Sequence, residues 1–170
     1  KIFKVSRNKI NGGSIRCFVT HKDNFIYDKK NNYKLYNSLL LAEKKLKIKN
    51  KYIYTKFVLS INNIKKKILY KINSILKNKE TIYILGASTK GNTILQFLGI
   101  DNKIIPYAIE RNKEKIGART IGSNIKIISE NEAKNIEPHF KLVLPWHFKN
   151  EIVKRELNYV KDGGKLIFPL

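Results

Sequence analysis

Cysteine is almost missing from this sequence: Cys17 is the single one in 170 residues. That excludes an internal disulfide framework and a cysteine-built metal site within the segment, and it suits a reducing cytoplasm. Long apolar runs are missing too. No stretch approaches the roughly 20 residues needed to cross a bilayer, so no membrane partner is expected, and no charged segment followed by an apolar core opens the chain as a secretory leader would. Acidic residues are scarce, 13 against 35 basic ones, which leaves a formal net charge of +22. Such a charge gains from counterion release on a polyanion. Arginine, however, supplies only five of the cations and lysine the other thirty. Arginine-rich clusters would mark phosphate binding better, and no face interleaves arginines with aromatic residues as a nucleic-acid surface does. Lysine spread among abundant Ile and Asn is better explained as a general surface bias from an AT-rich coding sequence. No nucleic-acid partner is expected.

What is present is the patterning of one compact α/β unit with an appendage, since this length buries one good core. The chain opens at Lys1 rather than Met and runs straight into a strand-like segment, so it is expected to be a piece of a longer protein. Residues 2–5 and 14–20 read as two strands around the turn signal Asn11-Gly12-Gly13. A hairpin cannot bury its own face, so residues 1–27 are expected to complete a sheet whose other strands lie elsewhere. Residues 28–78 read as a helical connector of two amphipathic helices. The first carries Leu35, Leu39 and Leu46 at helical spacing, and the second Ile61, Ile64, Ile68, Ile72 and Ile75. Lysine runs such as Lys65-Lys66-Lys67 are expected on their solvated faces.

From residue 79 to 170 short apolar runs alternate with helical segments. Strands are expected at 82–85, 104–109, 125–128, 141–144 and 165–168, and helices at 92–98, 130–135 and 150–161, the last ended by Asp162-Gly163-Gly164. That alternation predicts a small Rossmann-like lobe, a doubly wound parallel sheet.

The sharpest local feature runs from Tyr83 to Thr93: a buried strand, a loop of small residues and a helix start. Gly86 permits a tight turn, Ala87 and Gly91 let backbone approach a ligand, and helix-start N–H groups favour an anion. Ser88, Thr89 and Lys90 add hydroxyls and a charge, and Asn92 and Thr93 close the segment. The spacing is neither a P-loop nor a full G-x-G-x-x-G, and a plain strand-to-helix turn is the competing reading. Glu110 stands 24 residues after Gly86, where a doubly wound fold often places an acid on a ribose hydroxyl, and Arg111 beside it suits a phosphate. A surface pair of Glu110 with Lys115 is the alternative. After the fourth strand, Leu144-Pro145-Trp146-His147-Phe148 reaches the same sheet edge. His147 and Trp146 either face a ligand there or pack a helix on the sheet.

Five segments together, Asn11-Gly12-Gly13-Ser14-Ile15-Arg16, Gly86 to Asn92, Glu110-Arg111-Asn112, Leu144 to Phe148 and Gly163 to Pro169, resemble the SAM-dependent sugar C-methyltransferase family in order and spacing. The resemblance implies three lobes: an N-terminal zinc-binding lobe, a middle SAM-binding lobe and a C-terminal Rossmann-like lobe that anchors a nucleotide-linked keto-sugar of the dTDP type. It implies that this chain is the last lobe plus the closing hairpin of the middle one, with zinc and most of the SAM site lying outside it. It also implies proton removal next to the keto carbon and attack of the enolate on the SAM methyl group. The family's proposed base lies in a Tyr-x-Glu-His segment upstream of the hairpin, so no catalytic residue and no metal ligand is expected here. What carries over is binding: Gly86, Ala87, Ser88, Thr89, Lys90, Gly91 and Asn92 toward the diphosphate, with Glu110, Arg111 and His147 beside them. The alternative is a stand-alone nucleotide-binding module without methyltransferase activity, which should have no orphan strands at its start.

Overall fold

A computed structural model describes residues 1–10, 13–27 and 33–169 of the chain. They fall into two compact units, Lys1–Ser60 and Ile61–Leu170. In the first, β1 (Ile2–Asn8) and β2 (Ser14–Val19) pair antiparallel, with Val5 opposite Cys17 and Asn8 opposite Ser14. The expected hairpin is therefore there, its first strand running on to Asn8 and its second ending at Val19, one residue short of expectation. Two residues of its turn signal, Asn11 and Gly12, lie outside the described residues. Of its large apolar side chains Val5 is buried, while Ile15, Val19 and Phe25 are exposed, as is Cys17. Helix α1 (Tyr33–Leu46) follows, then α2 (Lys51–Lys77), within which the division between the units falls.

The second unit is a five-stranded, wholly parallel sheet in the order β5-β4-β3-β6-β7. Its strands are β3 (Ile82–Leu85), β4 (Tyr107–Glu110), β5 (Lys126–Ser129), β6 (Phe140–Val143) and β7 (Lys165–Ile167). A parallel sheet is covered on both faces, and the alternation of side chains along each strand sorts the core into two layers. Ile82, Ile84, Ala108, Ile127 and Leu142 point to one face, where they meet Ile68, Ile72 and Ile75 of α2 and Leu95 and Leu98 of α3 (Thr89–Leu98). Tyr83, Leu85, Ile109, Ile128 and Val143 point to the other. There they meet Ala133 of α4 (Glu130–Asn135) and Ile152 of α5 (Lys149–Arg155). The lobe is the expected α/β, Rossmann-like sheet, preceded by the two amphipathic helices and the hairpin.

Helix α3 begins three residues earlier than expected, at Thr89, and two further elements depart from expectation. The strand expected from residue 104 begins at Tyr107, because Asp101 builds a turn: its side chain accepts from the Lys103 N–H at 2.9 Å and its carbonyl from the Ile105 N–H at 3.0 Å. Ile105 is fully buried nonetheless, as a turn residue ahead of Pro106. The helix expected over 150–161 is two helices, α5 and α6 (Leu157–Lys161), broken at Glu156. The break carries the Glu156 carboxylate inward to the ammonium of Lys141, 3.0 Å away, and both side chains are about nine-tenths buried. Lys141 also lies 3.6 Å over the ring of Tyr159. The Tyr159 hydroxyl donates to the Pro138 carbonyl at 2.9 Å, and burial holds its phenol well above the ordinary value.

Candidate functional site

Strand order reverses at β3, which pairs with β4 on one side and β6 on the other. In register, Leu85 faces Ile109 and Val143, so the three segments that follow, from Gly86, Glu110 and Leu144, emerge together at the carboxyl edge. Open α/β sheets bind ligands at that edge, where the order reverses. A cavity of about 380 Å³ lies there, within the range of small-molecule sites.

The turn leaving β3 is built by tertiary contacts as much as by its own residues. Gly86 has φ of +89°, and a Cβ there would lie 2.8 Å from Cδ of Pro145. Its N–H donates to the Ile109 carbonyl at 2.8 Å. The two peptide groups flanking Ala87 are each held: the Ala87 N–H donates to Oε2 of Glu110 at 2.9 Å, and the Ala87 carbonyl accepts from Nζ of Lys115 at 3.0 Å. Ser88 then caps α3, its hydroxyl accepting from the Gly91 N–H at 3.0 Å. Gly91 has a packing reason of its own, since a Cβ there would lie 2.7 Å from Cδ1 of Leu144. Its bareness lets α3 sit against the end of β6, whereas the sequence suggests an approach to a ligand.

Glu110 is the hub of this corner. Its Oε1 accepts from the N–H groups of Arg111, at 2.8 Å, and Asn112, at 3.1 Å, while Oε2 accepts from Ala87. Lys115 stands 3.8 Å from the same carboxylate, which is only 16 % exposed. Both oxygens thus serve this chain's own backbone, and the Glu110–Lys115 pair weighed from the sequence is present as well. A 3₁₀ turn over Lys113–Lys115, started by the Asn112 side chain, brings the ammonium back to the loop.

Of the ten residues singled out in the sequence, Gly86, Ser88, Glu110 and Arg111 line the cavity. Ala87 is buried beside it, and Thr89 and Lys90 are exposed on the first turn of α3. Asn92 and His147 each bury a polar side-chain atom, Oδ1 and Nδ1, that has no hydrogen-bond partner in the structure. His147 belongs to a 3₁₀ turn over Trp146–Phe148 and packs between its two neighbours, edge-on to Trp146 and tilted against Phe148. Trp146 is not among the lining residues, whereas Pro145 and Phe148 are.

Three further charged residues of the lining were not singled out: Glu130, Glu151 and Arg155. Glu130 opens α4 and sits between two guanidinium groups, 3.8 Å from Nε of Arg111 and 3.8 Å from Nη2 of Arg155. Arg155 gives its Nε to Glu156 at 2.9 Å. An alternating series, Arg111, Glu130, Arg155, Glu156, Lys141, therefore runs from the cavity toward the buried pair. In the sequence Glu130 and Arg155 pass as helix-surface charges, and no local signal marks them otherwise. Among the described residues no group of three or more His, Cys, Asp or Glu is placed to hold a metal ion. No described helix is long and apolar enough to cross a membrane.

The chain is similar to the C-methyltransferase NovU of Streptomyces niveus, 26 % identical over 132 residues, which is 78 % of this chain and 31 % of that protein. It thus matches about a third of the length of that curated relative. A family model described as the C-methyltransferase C-terminal domain matches residues 9–170, from the end of β1 through every strand and helix of the sheet lobe and its cavity. With nearly the whole chain accounted for in this way, it belongs to the C-methyltransferase C-terminal domain family.

Proposed function

We propose that this chain is the part of an S-adenosylmethionine-dependent C-methyltransferase that anchors a nucleotide-linked keto-sugar of the dTDP type. The observation that carries the reading is the cavity at the carboxyl edge of β3 and β4, walled by the Gly86–Ser88 turn, Glu110 and two arginines. A guanidinium suits the planar, bidentate recognition of phosphate oxygens. The carboxylate of Glu151, which also lines the cavity, suits sugar or ribose hydroxyls, and the exposed ring of Phe148 offers a face for stacking. The same two cations suit S-adenosylmethionine poorly, because its sulfonium is itself a cation. The methyl donor, which supplies the transferred methyl group, is assigned chiefly to parts of the enzyme outside these residues, and so is the base that removes the substrate proton. In this reading the residues of the chain bind and orient. Gly86 to Asn92 shape the rim, Arg111 faces the phosphates, Glu110 keeps the rim in place, and His147 stands beside it.

Calorimetric titration of the chain with dTDP and with S-adenosylmethionine, separately and at two salt concentrations, tests this. Binding of dTDP without binding of the methyl donor supports it. No binding of dTDP, or equal binding of any polyanion with a steep salt dependence, overturns it in favour of contacts driven by the net charge.

A further inference from the structure

The rim loop has less to offer an anion than its sequence suggests. Four N–H groups that could have formed a phosphate cradle are already donated inside the chain: Gly86 to Ile109, Ala87 to Glu110, Gly91 to Ser88 Oγ and Asn92 to the Ser88 carbonyl. The guanidinium groups across the cavity are differently placed. Arg111 and Arg155 both line it, and they are two of only five arginines in a chain with thirty lysines. Each stands 3.8 Å from Glu130, on a different carboxylate oxygen. At that distance there is charge attraction but no hydrogen bond. Glu130 thus sits in the position of an anion held between two cations without using their directional donors. Arg155 is oriented besides, because Nε is tied to Glu156 at 2.9 Å and Glu156 to the buried Lys141.

We propose that Arg111 and Arg155 form a clamp for the phosphate groups of the ligand, and that Glu130 is a resident competitor which keeps the two guanidinium groups in place and is displaced when phosphate arrives. This rests on the reading that the cavity takes a sugar nucleotide, and it deepens that reading by naming the groups that take its charge. A phosphate oxygen can approach to the 2.7–2.9 Å of a charge-assisted hydrogen bond, where the carboxylate stays at 3.8 Å. Glu130 makes the site selective as well. A monoanion gains little over the resident carboxylate, whereas the greater charge of a diphosphate outcompetes it.

Binding of dTDP, inorganic pyrophosphate and thymidine is measured by calorimetry for the unchanged chain and for Glu130→Gln, Arg155→Gln, Arg111→Gln and Lys90→Ala. Each variant is first melted to confirm that it is folded. The clamp predicts that either arginine substitution weakens dTDP roughly tenfold or more, as loss of a charged hydrogen bond does. It predicts that Glu130→Gln tightens dTDP and pyrophosphate severalfold and leaves thymidine unchanged. A gain of affinity cannot come from misfolding, so this variant keeps the proposal testable should an arginine variant fail to fold. If dTDP binds the arginine variants as it binds the unchanged chain and only Lys90→Ala weakens it, the site reading stands and the clamp is wrong. If Glu130→Gln weakens dTDP, the competitor role is overturned. If the unchanged chain binds no dTDP, the site reading falls and the clamp with it.

Discussion

At the scale of single residues, Gly86 and Gly99 offer a controlled comparison. Both have positive φ, +89° and +74°, but a Cβ at Gly86 meets Pro145 whereas one at Gly99 meets nothing within 4 Å. Gly99→Ala should therefore cost about 1 kcal/mol, the backbone penalty alone. Gly86→Ala should cost that plus the displacement of Pro145, about 2–4 kcal/mol in all. Urea unfolding of the two variants measures both, and equal costs would show that Pro145 yields freely. The special backbone of Gly86 is legible in the sequence because only a glycine sits well at a strand-to-helix turn of this kind. The work of Glu110 is not legible: its place after β4 is visible, but its partner is a peptide group 23 residues earlier in the chain. Arg155 is less legible still, since nothing in a helical pattern distinguishes a cation that turns toward a cavity from one that turns toward water.

At the scale of elements, periodicity decides most of the assignments, and the failures have tertiary causes. Residues 150–161 look like one helix because Glu156 is a good helix former; the break is set by Lys141, which needs a buried partner. The start of α4 is local, and so it is legible: Ser129 and Glu132 make a reciprocal capping box. The hydrogen bonds from the Ser129 N–H and hydroxyl hold the Glu132 carboxyl below its ordinary range. A group whose pKa is lowered by folding stabilises the fold above its unfolded pKa and loses that contribution as pH falls through the folded value. The stability difference between the unchanged chain and Glu132→Gln should accordingly be present at neutral pH and vanish in acid below the carboxylate range. Chemical denaturation of both proteins across that range checks it, and a difference that persists in acid would assign the effect to packing.

At the scale of the whole molecule the net charge of +22 sets the response to salt. Like charges spread over the surface repel one another, and added salt screens that repulsion. The midpoint of thermal unfolding should therefore rise from low to moderate sodium chloride; a fall would mean that the ion pairs around Glu130 and Glu156 outweigh the lysine surplus. Alternation of strands and helices makes the α/β class legible, but strand order is not written in any one segment, and it is the order that makes an edge of β3, β4 and β6. The backbone at Ala87, its N–H fixed by a carboxylate and its carbonyl by an ammonium, is placed at that edge by the folding of the sheet itself. Its ordering entropy is met once, when the lobe folds, and not again at each encounter. The sugar nucleotide proposed for this edge would then meet a rim already held in place, and its association rate is expected to be set by diffusion and charge, without a slow isomerisation of the loop.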